Sequence, residues 1–419
     1  MKFGKTLAER TLKEWKFYYV DYKQLKHILK TQAAEDETFA CNHDELRSSF
    51  DEILSTSEEK LSKFYYDKES WAIDYFVTLQ KRVQDLKAAA EEADESLPGS
   101  PSSLSSSDED LLTASSPTCI ADDLPLRLEN LTKGQQHSTG NEAAYLKEAY
   151  RKMGASQHFQ AYIYAKKSLV TFQRELDLLL EFLDINTTAY SKILKKFDKQ
   201  TGTSLREARL ATILENNPFL KGEKLQEMRG TVDDLIEEVN TLKPRLPLGW
   251  ENRKVYTIGC FDLFHRGHQN VLMSLREFGA FIVAGIHDDE SYYQLKKKYT
   301  IDNLETRMKN VKPYVDQIFV IPSTDPLPYI KMMISDQDIA NGSCCYARGD
   351  DMLNFPAREF VESVMPVHFV PRTEACSSTL IRTIYHSDSA EIRAKAAFAK
   401  TRYDGKPVDE NGNVLQLQT

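Results

Sequence analysis

The sequence predicts a multidomain chain. An all-α helical bundle comes first, and an α/β domain with a Rossmann-like, doubly wound parallel sheet follows. Three observations carry this. Residues 1–87 and about 142–242 repeat apolar side chains at helical spacing. From residue 254 short apolar runs alternate with helical stretches. Between the two patterns lies Lys243-Pro244-Arg245-Leu246-Pro247-Leu248-Gly249, a linker with two prolines and a glycine. A chain of 419 residues has room for two or three domains, each with its own core.

In chain order, Trp15, Tyr18, Tyr22, Leu25 and Leu29 mark a first helix. Phe50, Ile53, Leu54, Leu61 and Phe64 open a second helical stretch, which Trp71 to Leu86 continues. Residues 88–142 are rich in Ser, Pro, Gly and acid. Such a stretch buries too little apolar surface to offset chain entropy and is expected to be disordered. Helices resume near Glu142 and run to Leu242, with a turn expected at Asp184 to Thr188. Strands are predicted at Val255–Ile258, Phe281–Ile286, Ile318–Ile321, Cys344–Ala347 and Val367–Val370. Helices are predicted at 268–278, 304–311, 328–335, 357–364 and 378–385. The expected division is 1–242 helical domain with its insertion at 88–142, 243–253 linker, 254–386 α/β domain, and 387–419 polar tail.

The formal net charge is −9, but it is local. Residues 88–126 hold nine acids and no Lys or Arg, and without them acidic and basic residues balance at 54 each. No nucleic-acid partner is expected. No apolar run reaches membrane-spanning length, and the N-terminus lacks a signal-peptide apolar region. The six cysteines form no CxxC pair and no zinc spacing, which fits a reduced, cytoplasmic protein.

The chemistry concentrates where predicted strands end. His265-Arg266-Gly267-His268 follows Gly259-Cys260-Phe261-Asp262, so two imidazoles sit where a strand hands over to a helix N-terminus. Free backbone N–H groups and the helix dipole favour anions there. Lys296, Lys297 and Lys298 follow the second strand. Gly349-Asp350-Asp351 follows the strand at Cys344–Ala347 and suits a metal or ribose contact. Arg372-Thr373-Glu374-Ala375-Cys376-Ser377-Ser378-Thr379 follows the last strand and opens a helix. Singly, each is an ordinary loop or cap. Together they gather donors and cations of the kind nucleotidyl transfer needs at the α-phosphate.

This set of motifs resembles the cytidylyltransferases that act on phosphocholine, phosphoethanolamine or glycerol 3-phosphate, over roughly 254–386. The resemblance implies that His265 and His268 stabilise the transferring phosphate, with Gly259, Phe261, Asp262 and Gly267 beside them. It implies that Lys297, or a neighbouring lysine such as Lys296, binds the α-phosphate and that Arg307 contacts phosphate. Arg372, Thr373, Ser377, Ser378 and Thr379 would hold the triphosphate, and Gly349, Asp350 and Asp351 would line the nucleotide. Magnesium would bridge phosphates of CTP without a dedicated side-chain cage, and the catalytic domain would form a homodimer. Two departures stand out. Ala375-Cys376 replaces the usual Gly-Ile, and the segment from Arg307 to Asp316 is shorter. Ser377-Ser378-Thr379-Leu380-Ile381-Arg382 also resembles an ending found in adenylyltransferases, which leaves ATP as an alternative to CTP.

In the helical half, Lys192, Lys195, Lys196 and Lys199 share one helix face, with Ile193, Leu194 and Phe197 opposite. A stripe of four ammoniums concentrates positive potential. Met1-Lys2-Phe3-Gly4-Lys5, Trp15, Tyr22-x-x-x-Lys26 and the run Ala189 to Lys199 resemble an SPX domain over about 1–240. The resemblance implies binding of an inositol polyphosphate or pyrophosphate by Lys2, Tyr22, Lys26, Lys192, Lys195, Lys196 and Lys199.

The expectation is a CTP-dependent cytidylyltransferase of phospholipid-precursor synthesis with a phosphate-sensing helical domain. An impaired catalytic half in an SPX-based regulatory protein is the alternative. The acceptor is left open among the three phospho-alcohols. Tyr292, Tyr293 and Tyr299 are the aromatic residues a choline cage would need, and the short tail has no long amphipathic membrane helix.

Overall fold

The computed structural model describes residues 3–35, 43–95, 139–373 and 376–385. Lys2, residues 96–138 of the acidic insertion, and the tail 387–419 lie outside the described residues. The chain forms two compact units, Met1–Lys81 with Ser168–Glu238, and Arg82–Lys167 with Val239–Thr419.

The first unit is helical. It contains α1 (Phe3–Arg10), α2 (Tyr22–Glu35), most of α3 (His43–Glu95), the greater part of α5 (Gln157–Thr201), α6 (Arg206–Asn216) and α7 (Glu223–Thr241). Along α5 the buried residues include Leu169, Phe172, Leu176, Leu179, Leu183, Asn186, Tyr190, Ile193 and Phe197. They step by three and four, the seam of a helix packed against other helices. Phe182 meets Trp15, Tyr19 and Phe64 at ring-centroid distances of 5.8, 4.7 and 5.0 Å. Phe50 of α3 meets Phe197 at 4.6 Å. Each such ring removes apolar surface worth roughly 1.5–3 kcal/mol from water.

Two expectations are corrected here. The turn at Asp184 to Thr188 does not exist, because α5 runs through it. Asn186 is fully buried; its Oδ1 accepts the Val20 N–H at 2.9 Å and its Nδ2 donates to the Phe182 carbonyl at 2.7 Å. A residue that favours turns is held in the helix by a tertiary hydrogen bond. Likewise residues 88–95, assigned to the disordered insertion, complete α3. Ala88-Ala89-Ala90-Glu91-Glu92 are strong helix formers, and Ala89 is buried.

The second unit is built on five parallel strands, β1 (Lys254–Gly259), β2 (Phe281–His287), β3 (Gln317–Ile321), β4 (Cys344–Gly349) and β5 (Val367–Val370), in the order β3-β2-β1-β4-β5. Val255 pairs with Ile282 on one side and Cys345 on the other. The crossovers include α8 (Arg266–Ser274), α9 (Asp289–Lys296), α10 (Leu304–Val311), α11 (Leu327–Met333), α12 (Asp336–Asn341) and α13 (Arg358–Val364), and α14 (Ser378–Tyr385) follows β5. The Rossmann-like sheet is therefore present, with two short helices, α9 and α12, beyond those predicted. The unit also includes α4 (Thr139–Ala155) and residues 157–167 of α5. Trp250, 1 % exposed, anchors them. Phe159 lies 5.0 Å and Tyr150 6.0 Å from its ring, and Phe159 meets Phe278 at 5.9 Å. The Pro-rich stretch is tied down as well. The Tyr150 hydroxyl donates to the Leu248 carbonyl at 2.8 Å, and His158 contacts the Leu242 carbonyl at 2.8 Å.

Candidate active site

The strand order reverses at β1. The chain leaves it toward β2 and β3, then returns to place β4 and β5 on its other side. Such a switch point leaves a crevice at the strand C-termini, where α/β sheets bind ligands. A cavity of about 780 Å³ opens there, lined by the loops after β1, β2, β4 and β5.

The loop after β1 is tightly wound. Phe261 and Leu263 have φ of 54° and 51°, a left-handed conformation that costs a non-glycine residue about 1 kcal/mol or more. Two glycines make the winding possible. A Cβ on Gly259 would lie 2.8 Å from the Phe261 ring, and one on Gly267 would lie 2.9 Å from the His265 ring. His265 caps α8, and its Nδ1 accepts the Gly267 N–H at 3.1 Å. The Cys376 thiol lies 3.2 Å from the same Nδ1. With Nδ1 accepting, the ring proton sits on Nε2. The His265 and His268 rings stack with centroids 3.9 Å apart, and Phe264 stacks on His268 at 5.6 Å.

Both imidazoles are neutral. Burial, then the neighbouring His268, Arg266 and Arg372, lowers the His265 pKa to about 3, and burial lowers that of His268 to about 4. Burial likewise lowers His287 to about 4 and His368 to about 3. In the unfolded chain these rings titrate near 6.5. Between pH 6.5 and 4 the unfolded state binds more protons, so stability rises with pH and is lost as pH falls. The thermal midpoint is expected to drop steeply below pH 6.5, each ring contributing at most about 1.4 kcal/mol per pH unit. A flat midpoint between pH 7 and 5, measured by differential scanning calorimetry, would show these rings to be charged in the fold.

Asp262 organises the loop rather than facing the cavity with free oxygens. It is 2 % exposed; Oδ1 accepts the Ile301 and Asp302 N–H groups at 3.0 Å each, and Oδ2 accepts from Arg382 at 2.6 Å. Its carbonyl accepts the Ser378 hydroxyl at 2.9 Å, so that hydroxyl is already engaged. Arg307 departs further from its implied role. It is fully buried and absent from the cavity wall. Nη1 donates to the Cys260 and His287 carbonyls at 2.6 and 2.7 Å, Nε to the Asp302 carbonyl at 3.2 Å, and Nη2 to Asp289 at 2.8 Å. Those carbonyls end β1 and β2, so a phosphate cannot reach the guanidinium without breaking the fold.

Of the other predicted residues, Lys296, Gly349, Asp351, Arg372, Thr373, Ser377 and Thr379 line the cavity, as do Gly259, Phe261, Gly267, His265 and His268. Lys297 does not. It ends α9 in a left-handed conformation, exposed, while Lys296 and Lys298 face the cavity. Asp350 also stands back and braces the wall; its Oδ1 accepts the Arg372 N–H at 2.9 Å. Thr373 is buried and accepts from Asn270 at 3.1 Å. Glu374 and Ala375 lie outside the described residues. Sequence reasoning missed Arg348, His287 and Arg382 on the cavity wall. Arg382 falls four residues after Ser378, one turn along the predicted helix, a spacing that could have found it. Tyr293 and Tyr299 stack on each other at 4.6 Å rather than framing an open cage.

In the helical unit, Lys192, Lys195, Lys196 and Lys199 are exposed, with Ile193, Leu194 and Phe197 buried behind them. Asp198 is turned away to cap α6; its carboxylate accepts the Leu205 and Arg206 N–H groups at 2.9 Å each. Lys26 is half-buried, and Tyr22 is buried with its ring 5.1 Å from Phe3.

Residues 1–49 and 35–213 match the SPX domain family, together just over half of the chain. This chain belongs to the SPX domain family. Residues 256–392 match the cytidylyltransferase-like family, so a cytidylyltransferase-like domain follows the SPX domain. SPX domain-containing protein 3 of Arabidopsis thaliana is 22% identical over 254 residues, 60% of this chain and 74% of that protein. The probable ethanolamine-phosphate cytidylyltransferase of Encephalitozoon cuniculi is 30% identical over 144 residues, 33% of this chain and 44% of that protein. The ethanolamine-phosphate cytidylyltransferase of Dictyostelium discoideum is 30% identical over 131 residues, 30% of this chain and 34% of that protein. The chain thus spans less than half the length of these two cytidylyltransferases. The SPX domain of Chaetomium thermophilum glycerophosphodiester phosphodiesterase 1, solved with inositol hexakisphosphate, is 19% identical, with a TM-score of 0.35, covering 57% of this chain and 99% of that one. Among the described residues no helix is long and apolar enough to cross a membrane.

Proposed function

We propose that the α/β domain is a CTP:phosphoethanolamine cytidylyltransferase, and that the SPX domain binds an inositol polyphosphate or pyrophosphate. The observation that carries the first part is the neutral His265/His268 pair, stacked at 3.9 Å in a cavity shared with Arg372, Lys296 and Lys298. The acceptor's phosphate oxygen attacks the α-phosphorus of CTP. The P–O bond to the β-phosphate breaks, and pyrophosphate leaves with that oxygen's electron pair. No proton need move in this step. The neutral imidazoles donate through N–H groups to oxygens where charge accumulates, and the approach of the triphosphate favours their protonation. Arg372 and the two lysines neutralise the departing pyrophosphate.

Magnesium would arrive with the nucleotide. Among the described residues no group of three His, Cys, Asp or Glu side chains converges; of the two wall carboxylates, Asp262 is already bonded within the protein, which leaves Asp351. That donor set suits an ion held mainly by phosphates, where it would neutralise non-bridging oxygens. Phosphoethanolamine is favoured by the similarity to ethanolamine-phosphate cytidylyltransferases and by the Tyr293/Tyr299 pair, which stacks on itself instead of framing an open cage for a quaternary ammonium. The test is pyrophosphate release with magnesium, CTP or ATP, and each of phosphoethanolamine, phosphocholine and glycerol 3-phosphate. CTP with phosphoethanolamine is expected to be fastest. Faster turnover with ATP would replace the nucleotide, and no turnover with any pair would leave a binding protein.

The exposed lysine stripe supports the second part, since a dense polyanion needs several convergent ammoniums. Replacing Lys192, Lys195, Lys196 and Lys199 together by Ala should weaken inositol hexakisphosphate binding more than about a hundredfold, counting at least ~1 kcal/mol per charged contact. Calorimetric titration that finds affinity retained would move the ligand to another face. Saturating inositol hexakisphosphate is expected to change kcat or the KM for CTP; if neither moves, the two functions are uncoupled.

A further inference from the structure

Two residues far from every motif touch the nucleotide loops. Lys167 of α5 is 7 % exposed, and its ammonium donates to the Pro371 carbonyl, one residue before Arg372. Tyr164 stands three residues earlier on the same helix face, where burial and then the nearby Asp350 carboxylate raise its pKa. Asp350 in turn accepts the Arg372 N–H at 2.9 Å and donates its own N–H to the Val370 carbonyl at 2.9 Å. The loops after β4 and β5 are thus joined to each other through Asp350, and the second is tied to α5 through Lys167, with Tyr164 beside Asp350.

An ammonium this buried is costly, and here a neutral carbonyl rather than a carboxylate holds it. Burial lowers the Lys167 pKa to about 7, against the opposing charges of Asp350 and Asp351. Such a group is a poor choice for holding a helix in place, where an apolar side chain would serve better. It is well suited to setting the path of a loop whose next residue must meet anionic oxygen.

We propose that Lys167 and Tyr164 are positioning residues of the nucleotide site, fixing the Asp350 and Pro371–Thr373 segments so that Arg372 meets the triphosphate. The proposal rests on the cytidylyltransferase reading. Both residues lie within the SPX match and outside the cytidylyltransferase-like match, so the SPX part of the chain supplies a brace to the catalytic loops. The braced helix is the one that carries the lysine stripe at 192–199.

The full chain with Lys167→Met and, separately, Tyr164→Phe tests this. Met keeps the apolar stem and Phe keeps the ring. Lys167→Met is expected to raise the KM for CTP roughly tenfold, the scale of one lost positioning bond, while the KM for phosphoethanolamine stays unchanged. Its thermal midpoint should hold or rise, because a buried charge is removed. Tyr164→Phe should raise the KM for CTP about threefold without unfolding the protein. A purely structural role would lower stability and affect both substrates alike, and that result overturns the proposal. Wild-type turnover with both variants unchanged overturns it alone. A wild-type chain that neither turns over nor binds CTP overturns the cytidylyltransferase reading, and the proposal with it.

Discussion

His268→Ala is expected to lower kcat by about 10²–10³ and to leave the thermal midpoint nearly unchanged. The separation follows from the surroundings of the ring. Its Nδ1 is buried with no hydrogen-bond partner among the described residues, so none of their bonds is lost on removing it. Its packing partners, Phe261, Phe264 and His265, remain to close over the gap. A neutral donor gains most when oxygen charge peaks in the transition state, so kcat should fall more than the KM for CTP rises. His265→Ala makes the contrast. It removes the side-chain cap on α8 and the acceptor for the Gly267 N–H, so it should cost about 1 kcal/mol of stability besides its effect on rate. Steady-state pyrophosphate release and calorimetry on both variants would decide. A His268→Ala enzyme within about threefold of wild-type kcat would remove the imidazole from the chemistry.

The strands are legible because each is a short buried apolar run with a polar break at either end, and their parallel pairing follows from strands alternating with helices, whereas the order β3-β2-β1-β4-β5 comes from the structure alone. What escaped is instructive. Helix Asp289–Lys296 has little apolar periodicity; the Asp288 side chain starts it by accepting the Ser291 N–H at 2.8 Å. The residues Asp184, Asn186, Thr187 and Thr188 favour turns locally, yet Asn186 meets Val20, distant in sequence, and stays helical. The candidate site divides in the same way. His265, His268 and the Arg372 segment could be placed from sequence because each adjoins its own strand. Lys167 and Tyr164 could not, since nothing near them in sequence points to Asp350. The resemblance points to Lys297 or a neighbouring lysine, and the end of α9 turns Lys297 to solvent while Lys296 and Lys298 line the cavity. The direction of three consecutive lysines at a helix end is set by one left-handed residue, which spacing does not reveal.

Arg307→Ala is expected to destabilise the α/β domain by about 3–5 kcal/mol, rather than to weaken CTP binding selectively. The guanidinium bonds three backbone carbonyls and the Asp289 carboxylate. Asp289 also accepts the Thr300 hydroxyl at 2.9 Å and the Leu304 N–H at 3.2 Å, so it sits at the entry to α10. Without the arginine, a nearly buried carboxylate loses its counter-charge, and the carbonyls of Cys260 and His287 lose donors that water cannot replace. Lysine should not rescue, because one compact ammonium cannot span carbonyls at the ends of two strands and a carboxylate together. Urea unfolding of wild type, Arg307→Ala and Arg307→Lys gives the test. Both variants should shift to lower urea, and any loss of activity should follow the loss of folded protein. A variant with a wild-type midpoint and a raised KM for CTP would return Arg307 to phosphate binding. The arginine joins the C-terminal ends of β1 and β2 to the start of α10, so it holds open the switch-point crevice in which His265 and His268 stand, without itself reaching the ligand.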